Sequence, residues 1–315
     1  MKIIGYGYPC MDINVLCDKM PDAGELSEMR DFSMMGGGKV CNAAIAAARL
    51  GAKTSFIGGV GRDRYGRLIM DDFLLHGVDV KDFHILDGHT SVCFNLVDNA
   101  AKEKHYIQYF STVTPLQPND LSENCFDDEG VLMLYKLDAM AFYLIGRAHD
   151  AGMQVMVDGD EFDRTVYENL DKIDILICSE YFYNALYEDD DYEHNLLKLH
   201  KAGPKIVVVT LGEKGCAGYE NGSYFRLEAY QVPVNDTTGA GDVFHGAFAR
   251  CIAEGLTAAK AARFSSAVSA VKCTRLGGRV GIPTAEGARH FMETGEILPE
   301  DFEERERRYK NDAWK

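Results

Sequence analysis

The sequence predicts an α/β protein in which a doubly wound, mostly parallel β-sheet carries helices on both faces, with a small second β-sheet beside it. Two observations predict the main domain. Short runs rich in β-branched residues alternate with helical segments along most of the chain, and a glycine directly follows several of those helical segments. Glycine in that place is typical of a helix end, and strand–helix alternation favours a parallel sheet covered by helices.

The individual elements of the main domain follow from the same patterns. Short runs rich in apolar, β-branched residues predict strands, because such runs suit a strand that is buried on both faces. Longer segments with apolar residues at helical spacing predict helices. The predicted strands are 2–4, 54–57, 155–157, 173–177 and 206–209, and the predicted helices are 44–50, 137–151, 242–254 and 257–273.

Two segments depart from this alternation and predict the small sheet. Residues 90–110 have the pattern of two strands around a polar turn near Asp98 and Asn99, and residues 10–35 are similarly irregular. We expect these two segments to form the small sheet. The α/β domain is then expected to comprise residues 1–9, 36–89 and 111–315.

The end of the chain predicts a further helix. Residues 301–315 are mostly charged, and Glu306 and Lys310 are one of three oppositely charged pairs four positions apart. Such pairs support a helix surface. We therefore expect a solvated terminal helix.

Composition and charge exclude several classes of protein. The chain has 315 residues, with 33 Lys plus Arg against 49 Asp plus Glu, a formal net charge of −16. Because nucleic acids and anionic membranes require a positive field, neither is expected as a partner. We find no apolar run long enough to span a membrane and no histidine or cysteine spacing typical of zinc. The nine cysteines form no Cys-x-x-Cys pair and indicate reduced thiols in a cytoplasmic protein.

The strongest local motif is residues 235–248, where a flexible turn leads directly into an apolar helix. The turn is Gly239-Ala240-Gly241, and Asp242 follows it at the helix start. The unpaired N–H groups and the dipole at a helix start favour an anion, and small residues let a ligand approach the backbone. Asp242 is either a simple helix cap or a general base beside this anion site.

A second motif is the glycine cluster Gly36-Gly37-Gly38 before a helix of small residues. It is not a phosphate-binding P-loop, because Lys39 is not followed by Ser or Thr and Ser33 stands where the first glycine is needed. On its own, such a cluster indicates either a ligand site or only a tight turn.

Together, these motifs resemble the ribokinase family of carbohydrate kinases, also called the PfkB family. The resemblance runs in order from about residue 3 to residue 290. Residues 236–249 resemble the family's C-terminal signature. Residues 36–61 resemble its N-terminal signature, residues 61–66 its Gly-x-Asp-x-x-Gly segment, and residues 210–215 its nucleotide loop.

The resemblance implies an ATP- and Mg²⁺-dependent kinase of a small sugar, with specific roles for the matching residues. Asp242 matches the base that deprotonates the acceptor hydroxyl, and Asp12 matches the carboxylate that binds two sugar hydroxyls. The resemblance also implies that residues 10–35 and 90–110 form a lid. The other matches are Gly239, Ala240 and Gly241 as the anion hole, Gly37, Gly38 and Asn42 as the remaining sugar floor, Thr210, Gly212 and Gly215 near ATP, and Asp236 and Thr238 in a monovalent-cation (K⁺) loop of some members.

The sequence departs from the family in three places, one of which is Ser111-Thr112-Val113-Thr114 where the common Gly-Ala-Asn is missing. Cys178-Ser179-Glu180 stands where many members have Asn-x-x-Glu, which organises magnesium-bound water, so Glu180 is either a substitute or a surface or capping residue. Asp158-Gly159-Asp160 replaces the more usual Asp-Pro-Asn.

These departures leave several functions open. A fructose- or ribose-like acceptor is the first interpretation, and a nucleoside is the second, with Tyr6, Phe94, Tyr106 and Tyr109 as aromatic candidates for stacking on the base. Lys39 and Lys136 leave an acidic sugar open. A non-catalytic sugar sensor on the same scaffold is a further alternative. Edge strands tend to be covered, so a homodimer through the lid is also plausible.

Overall fold

The computed structural model describes residues 1–101 and 103–311, and within them it contains two sheets flanked by helices. The strands are β1 (Lys2–Tyr6), β2 (Cys10–Cys17), β3 (Met29–Gly37), β4 (Lys53–Gly61), β5 (Phe83–Leu86), β6 (Ser91–Asp98), β7 (Glu103–Tyr109), β8 (Gly130–Leu134), β9 (Gln154–Gly159), β10 (Ile175–Ser179), β11 (Ile206–Thr210), β12 (Cys216–Glu220) and β13 (Ser223–Leu227). The helices are α1 (Lys39–Arg49), α2 (Arg64–Leu75), α3 (Ala139–Asp150), α4 (Arg164–Glu168), α5 (Glu180–Leu186), α6 (Tyr192–Lys201), α7 (Ala240–Ala253), α8 (Ala258–Lys272), α9 (Ala285–Thr294) and α10 (Phe302–Asn311).

The main sheet has the strand order β13-β12-β11-β10-β9-β8-β1-β4-β5. Every pairing from β11 to β5 is parallel, and β12 and β13 add an antiparallel edge. The carboxyl ends of β9, β10 and β11 therefore lie side by side at one edge, where ligands bind in open α/β sheets. The predicted doubly wound, mostly parallel sheet is confirmed.

Both faces of the main sheet are buried. Adjacent residues of one strand, such as Ile3 and Ile4, point to opposite faces, and both are fully buried. The two residues belong to two separate apolar clusters. A central strand with helices above and below must be apolar at every position, which explains the continuous apolar runs in the sequence.

The small sheet has the order β3-β2-β6-β7 and combines the two segments that depart from the strand–helix alternation. Strands β6 and β7 are antiparallel, as the polar turn near Asp98 predicts. One face of this sheet is polar, with Asp12, Asn14 and Asn95, and the other is apolar. Strand β3 continues to Gly37, so the small sheet leads directly into α1.

The predicted terminal helix forms as α10, but the expectation that it is solvated is wrong. Arg305 and Tyr309 are only 3% and 5% exposed, because one face of the helix packs against the main body. Residues 312–315 of the predicted segment lie outside the described residues.

The nine cysteines are all free and buried, as their spacing predicts. Among the helices of the described residues, none is long and apolar enough to cross a membrane.

Candidate active site

The predicted anion-binding turn lies at the start of α7. Gly239 is the residue before the helix, and its φ of 74° is in the left-handed region that favours glycine. A methyl group on Gly239 would come within 3.0 Å of the Gly278 Cα atom, so a larger residue has no room. The first amides of a helix lack intrahelical acceptors, so those of Gly239 and Gly241 can bind an anion, whereas the Ala240 amide donates to the Thr237 carbonyl over 3.1 Å. Asp242 lies in the first helical turn and is partly exposed, whereas the helix behind it is buried.

Asn42 joins the two glycine-rich motifs. It lies on α1, is 3% exposed, and donates from Nδ2 to Oδ2 of Asp242 over 2.8 Å. These two residues are 200 positions apart in the chain. Two of the sequence-predicted site residues therefore meet directly.

Asp12 lies on the polar face of the small sheet and is 8% exposed. Burial raises the pKa of its carboxyl group to about 6, although the Cys10 thiol and Arg279 act in the opposite direction. Asp242 is close enough to contribute to this rise. A methyl group on Gly37 would overlap the Asp12 carboxylate, so glycine at that position leaves space for it. Gly38 precedes α1 with a φ of 101°. Asp12 and Gly37 thus lie beside each other, and Gly38 and Asn42 follow Gly37 at the start of α1.

The predicted monovalent-cation residues already have positively charged partners. Lys104 of β7 donates from Nζ to Oδ1 of Asp236 over 2.7 Å and to the Thr238 hydroxyl over 2.9 Å. The fully buried Lys272 donates to the main-chain carbonyl of Asp236 over 2.9 Å. Burial raises the pKa of Asp236, but the two lysines outweigh it and hold that pKa well below its usual range. Lysine ammonium groups therefore already bond the Asp236 carboxylate, the Asp236 main-chain carbonyl and the Thr238 hydroxyl, which disfavours a further cation there, and the backbone cation site at Asp236 and Thr238 stays a prediction.

The predicted nucleotide residues lie at the carboxyl end of β11. Thr210 is the last residue of that strand, and its hydroxyl donates to the Cys178 carbonyl over 3.4 Å. Gly212 and Gly215 flank a short helical turn with φ values of 56° and 87°. They therefore lie at the same edge as the ends of β9 and β10. In the described residues, no hydrogen bond joins this loop directly to Asp242.

A charged cluster around Lys39 is the main part of the site that sequence reasoning did not assign. Lys39 forms an ion pair with Asp160. Burial lowers the pKa of Lys39, but Asp242, Asp158 and Asp160 together raise it above its ordinary value. Burial also raises the pKa of Asp158. The unusual Asp158-Gly159-Asp160 segment is the sequence feature that could have revealed this cluster, because it places two carboxylates beside Lys39.

His245 connects this cluster to α7. Its Nδ1 lies 2.7 Å from the Gly241 carbonyl, and its Nε2 lies 3.6 Å from Oδ1 of Asp158. By contrast, Glu180 pairs with Lys214 over 2.9 Å and is partly exposed. That pairing favours the surface alternative for Glu180.

The site combines an α/β fold, a predicted anion-binding turn, an adjacent carboxylate and a polar floor. This combination is typical of an enzyme that transfers a phosphoryl group to a small molecule. The sequence model of the pfkB family carbohydrate kinases matches residues 2–285. The chain belongs to this family and is a carbohydrate kinase.

Individual relatives agree with this assignment. The chain is 27% identical to a ribokinase from Lactococcus lactis over 94% of this chain and 98% of the relative. It is 27% identical to fructokinase-2 from Solanum lycopersicum over 89% and 94% of the two chains. The structure of Arabidopsis thaliana ribokinase complexed with ribose and ATP is similar with a TM-score of 0.80 and 26% identity, over 92% of this chain and 98% of that chain.

Proposed function

We propose that this protein transfers the γ-phosphoryl group of ATP to a hydroxyl group of a small fructose- or ribose-like sugar, with Asp242 as the general base. The observation that carries the proposal is the position of Asp242. Its carboxylate lies at the open start of α7, beside the Gly239–Gly241 turn, and is oriented by Asn42 over 2.8 Å.

The chemistry follows from the groups at this position. Asp242 accepts the proton of the attacking hydroxyl, which makes the oxygen nucleophilic. The amides of Gly239 and Gly241 stabilise the charge that develops on the transferring group, and the Ala240 amide joins them when it leaves the Thr237 carbonyl to which it donates over 3.1 Å. Because phosphoryl transfer has a loose transition state, positioning and charge stabilisation provide most of the catalysis.

The polar face of the small sheet supports a sugar as the acceptor. Asp12 accepts hydrogen bonds from sugar hydroxyl groups there. The amides of Asn14 and Asn95, in which Nδ2 of Asn95 donates to Oδ1 of Asn14 over 3.0 Å, continue the polar face. Phe94 lies on the opposite, apolar face, because its position alternates with that of Asn95. It therefore faces away from the site, whereas Tyr106, which pairs with Asn95, lies on the same face as the site and keeps the nucleoside alternative open.

We place ATP at the carboxyl end of β11, where Thr210, Gly212 and Gly215 form an open backbone turn. When bound, Mg²⁺ neutralises phosphate charge, and it prefers carboxylate and phosphate oxygens. Asp160 has a carboxylate that is 41% exposed, but Lys39 pairs with its Oδ2, so Mg²⁺ would reach Asp160 through its other carboxylate oxygen. Lys39 supplies a fixed positive charge at the same place.

We propose that residues 10–35 and 90–110 act as a lid and that the apolar face of this sheet is covered by a second copy of the chain. Phe94, Ile107, Tyr109 and Phe110 are 42%, 62%, 56% and 73% exposed. An exposed apolar patch on an edge strand favours association. Buried free cysteines support a cytoplasmic location.

The decisive experiment measures ADP release with Mg²⁺ and ATP across fructose, ribose, 2-keto-3-deoxygluconate, aminosugars and nucleosides. We expect turnover on a sugar, abolished in Asp242→Asn, with sugar binding by calorimetry retained. Asp191→Asn is the matched control, because Asp191 also lies at a helix start but on the exposed surface of α6. Silence across the panel, with sugars still raising the melting temperature, would support a sensor instead.

A further inference from the structure

Arg279 is the largest fully buried side chain in the described residues, and it lies directly behind the proposed catalytic pair. Its Nε donates to Oδ1 of Asn42 over 2.8 Å, while Nδ2 of the same amide donates to Asp242. A guanidinium group can only donate hydrogen bonds. The reversed amide would place its NH₂ group against Arg279 and its oxygen against the Asp242 carboxylate, so Arg279 determines the orientation of Asn42.

The buried charge of Arg279 is held in turn by Asp72 of α2. Arg279 Nη1 forms an ion pair with Oδ2 of Asp72. Burial raises the pKa of Asp72, but Arg279 and the neighbouring hydrogen-bond donors outweigh it and hold that pKa well below its usual range. Asp72 is therefore an ionised, fully buried partner that fixes the guanidinium plane.

The chain of contacts ends on α10. The Tyr309 hydroxyl donates to Oδ1 of Asp72 over 2.7 Å and lies 3.1 Å from Nε2 of His76. Arg305, on the same helix, donates to the main-chain carbonyl of Arg279 over 3.0 Å. The family match ends at residue 285, so α10 lies outside it.

We propose that Tyr309 is a positioning residue for the kinase reaction: through Asp72 and Arg279 it orients the Asn42 amide, which in turn orients Asp242. This inference rests on the proposed function, because it assumes that Asp242 is the base. The physical reason is that the side chains of Tyr309, Asp72, Arg279 and Asn42 are buried and each is hydrogen-bonded to the next. Loss of the donor at the far end therefore weakens the support of the Asn42 amide at the near end.

The test is Tyr309→Phe in the full-length enzyme, which removes one hydroxyl and little volume. We expect kcat to fall about tenfold, the scale of losing an outer hydrogen-bond partner, with KM for ATP unchanged. Tyr192→Phe is the matched control, because Tyr192 is also buried and its hydroxyl bonds Asp190, which lies outside the proposed site. Its kcat should equal that of the wild type.

A double-mutant cycle with Asn42→Ala separates positioning from a general loss of stability. If Tyr309 acts through Asn42, Tyr309→Phe has no further effect on kcat once the amide is gone. A full additive effect, or an unchanged kcat in Tyr309→Phe alone, would overturn the proposal.

Two further measurements test the proposal if one of these variants is too slow to measure or does not fold. If Asn42→Ala is too slow to measure, the NMR resonance of the Asn42 side-chain NH₂ group replaces kcat as the readout. This resonance should shift in Tyr309→Phe and stay unchanged in Tyr192→Phe, and an unchanged resonance in Tyr309→Phe overturns the proposal.

If Tyr309→Phe does not fold, Arg279→Lys takes its place in the cycle, because this variant keeps the buried charge but loses Nε. A fully active Asp242→Asn would instead refute the proposed function, a result separate from all of these.

Discussion

At the scale of single residues, the requirements of sugar binding and of folding stability conflict at Asp12. Its carboxylate lies where sugar hydroxyls are expected, yet it is buried and has a pKa raised from an ordinary 3.8 to about 6. A carboxyl group with a raised pKa favours the folded state when protonated. Its contribution to stability is therefore largest below about pH 4 and is lost as the pH rises through about 6.

This conflict predicts that Asp12→Asn stabilises the ligand-free protein at pH 8. The shift from 3.8 to about 6 corresponds to about 3 kcal/mol in the free energy of unfolding. The gain should shrink as the pH falls below 6, and sugar binding should be lost at every pH. Urea denaturation and calorimetry at pH 8 and pH 5 measure both effects.

Asp87→Asn serves as the control for this prediction, because the Asp87 side chain is 96% exposed. It should change neither stability nor sugar affinity. An Asp12→Asn variant that is less stable than the wild type at pH 8 would contradict the interpretation.

At the scale of elements, the starts of α1 and α7 show how local sequence positions a site. Each helix follows a glycine with positive φ, Gly38 or Gly239, so each exposes its first amides in a turn without side chains. Both glycine turns are recognisable in the sequence, but the predicted helix 44–50 begins five residues later than α1, which starts at Lys39. What the spacing did not predict is that β7 of the small sheet would bring Lys104 to the loop before α7.

The lysines at Asp236 predict that the kinase does not require a monovalent cation. Turnover should be the same in potassium and tetramethylammonium salts, because Lys104 and Lys272 supply the positive charge at this loop. Rubidium-soaked crystals should show no anomalous peak at Asp236, which gives a readout independent of activity. Activation of the wild type by K⁺ would refute this prediction.

The Lys104 side chain can be tested separately. Lys104→Met should lower kcat, because the buried Asp236 carboxylate then keeps only Lys272 as a nearby positive charge. Lys104→Arg, which retains the charge, should keep more of the activity. Equal activity in the two variants would show that the ion pair with Asp236 is not needed for turnover.

At the scale of the whole molecule, the small sheet has one polar face and one apolar face. Its polar and apolar side chains lie on opposite faces, because side chains alternate along each strand. The polar face is turned to the proposed site, and the apolar face is buried at β2, where Met11 and Ile13 are 1% and 9% exposed. Helix α2 packs against β2 and β3. The side chains of Phe94 and Ile107, on β6 and β7, remain exposed.

We predict that this outer patch forms a dimer interface. Ile107→Asp should give a monomer in analytical ultracentrifugation while the wild type sediments as a dimer. Tyr181→Asp is the control, because Tyr181 is 79% exposed on α5 of the main domain and should leave the dimer intact. A monomeric wild type at micromolar concentration would remove the basis for the interface.

The sequence by itself determined the strand–helix alternation, the buried strands and the glycine-led helix starts, because each depends on residues close together in the chain. It also carried the motifs that place this chain among the pfkB carbohydrate kinases. Only the tertiary structure decided that Asn42 meets Asp242 and that Tyr309 reaches Asp72, pairs separated by 200 and 237 positions. The same holds for the burial of α10, whose charged sequence indicates a solvated helix. The physical reason is that local patterns encode periodicity and caps, whereas a hydrogen bond between distant residues depends on how completed elements pack.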